Sequence, residues 1–139
     1  IYTVYIVGSG QMCIRDRAIG SSGVIQPIPN LGISNVVRSA LVGWTKSLSN
    51  DLAGSGITVN MLLPGRIHTK RIDELDQTVA DKTGQTLESV RQASKATIPI
   101  SRYGRVEEFA DTATFICSDR AGYITGSLIR CDGGLIKSV

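Results

Sequence analysis

The sequence is short of cysteine and has no clustered charge. Its three cysteines, Cys13, Cys117 and Cys131, are odd in number and lack metal-ligand spacing. No metal set is expected, and free thiols filling space in a reducing compartment are. No apolar run is long enough to span a bilayer, and no stretch reads as a signal peptide, so the expectation is a cytoplasmic chain without a membrane partner. The net charge is a small +3, and lysines and arginines are scattered rather than run together. Nothing in that pattern points to nucleic acid. Repeats and low-complexity segments are also missing. An intact phosphate-binding glycine loop is missing too. Gly8 and Gly10 follow an apolar stretch, but Cys13 stands where the third glycine belongs, and Arg15-Asp16-Arg17 follow where an apolar helix should open.

What is present is enough for one domain. The 139 residues, 42% hydrophobic and 19% charged, can bury one modest core. The organising stretch runs from Asn30 to Ala53. Val37, Leu41, Trp44, Leu48 and Leu52 fall at helical spacing, and Val36, Ala40 and Val42 widen the stripe, which predicts a helix covered on more than one side. Ser34 or Asn35 can cap its start, and Gly54 and Gly56 can end it. Ile57 to Leu63 is then a short, nearly continuous apolar run, as expected of a parallel strand covered on both faces, and Pro64-Gly65 stops it.

The ends of the chain read differently. Ile1 to Ile6 has the composition of a strand. Gln11 to Arg17 (QMCIRDR) fits nothing around it and resembles a translated adapter of the kind used in preparing sequencing libraries. Residues 1–17 are therefore expected to be an unrelated leader, with the domain proper over 18–139. Ala18 to Gly23 reads as a small-residue turn and Val24 to Pro29 as a loop. Downstream, Thr69 can cap a helix over Lys70 to Lys82 ended by Gly84, and Thr86 a second over Leu87 to Ala96. Val106 to Cys117 predicts a third, and Ser127 to Cys131 a short strand before the turn Asp132-Gly133-Gly134.

Several of these pieces carry a likeness. Ile19-Gly20-Ser21, Gly43 to Leu48, Ile57 to Asn60, Pro64 to Thr69, Arg102 to Glu108, Tyr123 to Gly126 and Asp132 to Gly134 follow one another in an order and spacing that resembles the C-terminal half of the short-chain dehydrogenase/reductase family. The likeness is greatest to its 3-oxoacyl-acyl-carrier-protein reductase-like members. It implies an α/β fold, the C-terminal half of a Rossmann-like doubly wound parallel sheet, with ligand at the carboxyl ends of the strands. It further implies a fragment of an oxidoreductase that uses NAD or NADP on a carbonyl or alcohol, with a 3-oxoacyl thioester as one substrate class. The alternative is a relative that keeps the fold without the chemistry. Family members associate through the central helix and the last strand, so a homo-oligomer is implied for the full-length parent.

The resemblance carries over residue by residue only in part. Ser21 matches the family's catalytic serine. Ser34 and Arg38 stand where the family has its tyrosine and lysine. An aliphatic hydroxyl is a far weaker acid than a phenol, so Ser34 cannot simply replace the tyrosine as proton donor. Arg38 keeps a positive charge able to hold ribose hydroxyls, on a planar fork. Pro64, Gly65, Ile67 and Thr69 match the segment that holds the nicotinamide, by backbone after the glycine and by the threonine hydroxyl. His68, in the same turn, is a candidate proton donor or an ordinary loop histidine. The segment from Lys70 to Pro99 corresponds to the family's variable substrate lid. Its basic residues Lys70, Arg71, Lys82, Arg91 and Lys95 could meet an acidic carrier, but Asp73, Glu74, Asp76, Asp81 and Glu88 alternate with them, which reads as a solvated mixed-charge surface.

Overall fold

The computed structural model describes residues 15–138. The strand read at Ile1–Ile6 and the glycines at 8 and 10 lie outside them. Three parallel strands form one sheet: β1 (Arg15–Ile19), β2 (Thr58–Pro64) and β3 (Leu128–Cys131), in the order β1-β2-β3. β1 pairs Arg15 with Thr58 through Ile19 with Leu62, and β2 pairs Met61 with Leu128 through Pro64 with Cys131. The boundary expected at residue 18 therefore falls inside a paired strand, and the turn read from Ala18 begins at Gly20 instead. One α-helix, α1 (Gly32–Ala53), connects β1 to β2 after a short 3-10 turn at Ser22–Val24, while the α-helices α2 (Lys70–Thr83), α3 (Leu87–Ala96) and α4 (Val106–Cys117) and a 3-10 turn at Asp119–Ala121 lie between β2 and β3.

β2 is the core of the molecule, with every residue from Thr58 to Leu63 buried. Its side chains alternate between two faces. Met61 and Leu63 join Ala18 on one face, covered by Leu41 and Val42 of α1 and by Val24 and Ile25. Leu62 points to the other, with Ile116, Phe109 and Ala113 of α4, and with Ala121, Ile124 and Ile129. Helices on both faces of a parallel sheet give the doubly wound α/β arrangement, and they explain why β2 reads as a continuous apolar run.

α1 departs from its periodicity. Part of its apolar surface is left to solvent, with Val36 70% exposed, Trp44 45% and Ile33 78%, while Leu41 and Val42 pack on the sheet. The fully buried positions of the helix beside them are Thr45 and Ser49. These compact side chains let the helix lie close to the sheet. Its start also differs from expectation. Leu31 is the cap, with no side-chain bond, while Asn35 turns back to donate to the Ile28 carbonyl (3.0 Å) and accept from the Ile28 N–H (3.4 Å). Asn35 thus tethers the preceding loop rather than capping the helix. The later helices match the sequence closely. Gly84 closes α2 in the left-handed conformation, and the Thr86 hydroxyl caps α3 by accepting from Ser89 N–H. Asn60, wholly buried in β2, donates to the Ile124 carbonyl (2.8 Å) and accepts from Ser127 N–H (3.1 Å), which fixes the approach to β3. Among the described residues no helix is long and apolar enough to cross a membrane.

Candidate active site

Because the strands are parallel, the segments leaving their carboxyl ends share one edge of the sheet. Gly20 N–H donates to the Leu62 carbonyl (2.8 Å), so Ser21 leaves β1 level with the end of β2. The Ser21 hydroxyl accepts from Gly23 N–H at 3.1 Å and keeps its own proton to donate. Arg38, reaching over from α1, donates to the Gly20 carbonyl at 3.0 Å, which brings the guanidinium to the backbone beside Ser21. Ser34 lies one helical turn before Arg38, on the same side of α1, and is half-buried. Asn35, absent from the sequence-based set, places its Oδ1 2.8 Å from where a side chain on Gly23 would begin.

The second segment leaves β2. Gly65 N–H donates to the Cys131 carbonyl (3.0 Å), and a Cβ on Gly65 would sit 2.5 Å from Asp132 Cα. The glycine here is required by the close pass of the chain leaving β3. Ile67 then forms a parallel bridge with Gly104. Gly104 N–H donates to the Arg66 carbonyl (2.9 Å) and His68 N–H donates to the Gly104 carbonyl (2.8 Å). In such a bridge the N–H and C=O of Ile67 itself point to the opposite edge, one donor and one acceptor side by side. Thr69 occupies the cap position of α2 without making a side-chain cap bond, and its residue is exposed at the helix N-terminus.

Behind this loop lies a buried polar cluster that the sequence did not reveal. Asp76 of α2 is 2% exposed. It accepts from the Tyr103 hydroxyl at 2.6 Å and from Arg66 Nη1 at 3.2 Å. Read as part of a solvated surface, it is instead the most enclosed charge of the α2–α3 segment among the described residues. The signal was available: Asp76 lies one turn from both Ile72 and Ala80, interrupting an apolar stripe. Burial, followed by the bond to Asp76, pushes the Tyr103 phenol above its ordinary range. His68 is exposed, with Nε2 3.3 Å from Asp73, which also accepts from Arg91 at 2.6 Å. Arg102 makes two bonds to Glu108, at 2.7 and 2.8 Å, and these, with the Arg105 N–H, hold the Glu108 carboxyl down at about 2. Two clefts flank the loop. One, of about 330 Å³, lies between Arg66, Ile67, Ile98, Ile100 and Asp132, and one of about 280 Å³ lies between His68, Arg91, Lys95 and Tyr103. Neither takes in Ser21, Ser34 or Arg38.

The donor set fits a nicotinamide ribose. A carboxamide needs one acceptor and one donor together, which Ile67 offers, and ribose hydroxyls need the donors that Arg38 carries.

Residues 18–136 match the family model described as enoyl-(acyl carrier protein) reductase. Over 121 residues the chain is 36% identical to the 3-oxoacyl-[acyl-carrier-protein] reductase FabG of Aquifex aeolicus, an overlap of 86% of this chain and 44% of that protein. A short chain dehydrogenase family protein from Francisella tularensis superposes with a TM-score of 0.85 at 29% identity, covering 90% of this chain and 52% of that one. YwfH, an NADPH-dependent reductase involved in bacilysin biosynthesis, superposes at 0.83 and 34% identity, covering 88% and 47%. The chain spans about half the length of these relatives.

Proposed function

Since the chain belongs to the short-chain dehydrogenase/reductase family, we propose that it forms the C-terminal half of a cytoplasmic NAD(P)-dependent oxidoreductase acting on a carbonyl or alcohol, with 3-oxoacyl thioesters as the first substrate class to test. The observation that carries this reading is that Ser21, with Arg38 bonded to the carbonyl beside it, leaves the carboxyl end of β1, while the Pro64–Thr69 segment leaves the carboxyl end of its parallel neighbour β2. Bound NAD(P)H supplies the hydride for the carbonyl carbon. Ser21 donates its hydroxyl proton as a hydrogen bond to the carbonyl oxygen and so orients it. Arg38 holds the ribose hydroxyls, the Ile67 backbone reads the carboxamide, and Thr69 offers its hydroxyl at the start of α2. Ser34 does not act as an acid. In its place a water held by Ser21 and Ser34 gives its proton to the forming alkoxide and is reprotonated from bulk solvent, the role a phenol fills elsewhere in the family. The exposed apolar face of α1 supports a homo-oligomer as the working state.

The test is a titration of the full-length protein with NADH and NADPH, followed by nicotinamide fluorescence, then turnover on 3-oxoacyl thioesters and simple ketones. Micromolar binding with reduction of a carbonyl is expected. Failure to bind either cofactor, or binding without turnover across the panel, overturns the reading. Ser34→Tyr with Arg38→Lys is expected to raise turnover, because it replaces the water-borne proton with a phenol lowered by a neighbouring ammonium.

A further inference from the structure

Asp76 is chemically out of place. A carboxylate buried to this depth costs free energy unless charge and hydrogen bonds compensate it, and here both come from one side only. One oxygen takes Arg66 and the other takes Tyr103. These partners are not arbitrary. Arg66 immediately precedes Ile67, and Tyr103 immediately precedes Gly104, the two residues of the bridge. Each strip of that bridge is thus anchored by a side chain to the same carboxylate of α2, while Gly104 holds the strips together through the main chain. Gly104 also allows the close approach, since a Cβ there would meet Ile67 Cδ1 at 2.7 Å. The other contacts of Tyr103 reinforce the anchor: its ring faces His68 at 6.0 Å and lies 5.7 Å from Lys95 Nζ of α3. Lid helices and loop are therefore joined at one buried point.

We propose that Asp76 is a positioning residue for the nicotinamide: its carboxylate clamps Arg66 and Tyr103, and through them aims the free N–H and C=O of Ile67 at the carboxamide. This rests on the cofactor reading above. It assigns to the lid a role in cofactor geometry as well as in covering substrate, because α2 cannot move without pulling on both strips of the bridge.

The experiment uses the full-length protein and two kinds of probe. NADH and NADPH report the whole site, while ADP-ribose and its 2′-phosphate report all of it except the place of the nicotinamide ring. Asp76→Ala is expected to weaken the nicotinamide-bearing ligands about tenfold or more, the scale of a misaimed supporting contact, and to leave the ADP-ribose probes within about twofold. Tyr103→Phe and Asp76→Asn each remove part of the clamp and should fall between, in the same selective sense. They also serve if Asp76→Ala does not fold. Selective loss supports the clamp. Equal loss of both probe classes would mean a general structural role and overturns it, as does unchanged affinity for all ligands in folded variants. A wild-type protein that binds ADP-ribose but gains nothing from the nicotinamide overturns the clamp, and one that binds no probe sinks the cofactor reading with it.

Discussion

Gly65→Ala separates two accounts of a glycine that the family resemblance places beside the nicotinamide. Gly65 is not in the left-handed region, so alanine is permitted by its backbone and the cost is one of contact. The added Cβ would lie 2.5 Å from Asp132 Cα, 2.8 Å from Asp132 Cβ and 3.0 Å from the Asp132 carbonyl oxygen. Carbon atoms rest near 3.5 Å, so the chain leaving β3 must retreat by about 1 Å. Backbone cannot yield as a side-chain tip can. Overpacking of this kind costs roughly 1–3 kcal/mol. The same retreat stretches the Gly65 N–H bond to the Cys131 carbonyl from 3.0 Å toward breaking, adding about 1 kcal/mol. A loss of about 2–4 kcal/mol is expected. Gly54→Ala is the control: φ is −62° and nothing lies within 4 Å, so alanine should be neutral or should stabilise by up to about 1 kcal/mol. Urea unfolding of the full-length protein, followed by far-ultraviolet circular dichroism without cofactor, measures both. Gly65→Ala within about 0.5 kcal/mol of wild type would refute the contact account.

Two further expectations concern stability. The Glu108 carboxyl titrates near 2 when folded, below its ordinary 4.5, so its pairing with Arg102 stabilises in full above pH 4.5 and is lost as pH falls toward 2. Glu108→Gln should therefore be less stable than wild type at neutral pH, and the two melting curves should converge over that acid range. A constant difference down to pH 2 would contradict the pairing. Thr45 is buried with a hydroxyl that finds no partner among the described residues, so Thr45→Val should raise stability by about 1 kcal/mol in a thermal melt, and a drop would show that the hydroxyl is used.

Much of the fold could be read because local signals and tertiary demands agree. Thr86 and Gly84 bracket their helices as their chemistry requires, and the unbroken apolar run of β2 follows from cover on both faces. The facing of α1 could not be read. Periodicity locates an apolar stripe but not which of its residues are covered, and here Leu41 and Val42 pack on the sheet, Thr45 and Ser49 are the fully buried positions, and Val36 and Trp44 stay exposed. Ser21, Arg38 and the Pro64–Thr69 loop came from the resemblance to the family, and the structure adds the Gly20 contact and the bridge. Asp76 and Tyr103 stayed hidden because they are far apart in the chain, and a carboxylate among alternating charges looks solvated until its place on the apolar stripe is noticed.

The unequal connections of the sheet set the order in which it assembles. One helix joins β1 to β2, whereas three helices intervene between Pro64 and Leu128 before β3 can pair. Loop-closure entropy rises with the length enclosed, so the β1-α1-β2 unit condenses first and β3 docks late. The contact of Gly65 with Asp132 is then expected to form late in folding. A substitution there should hasten unfolding while leaving the refolding rate almost unchanged.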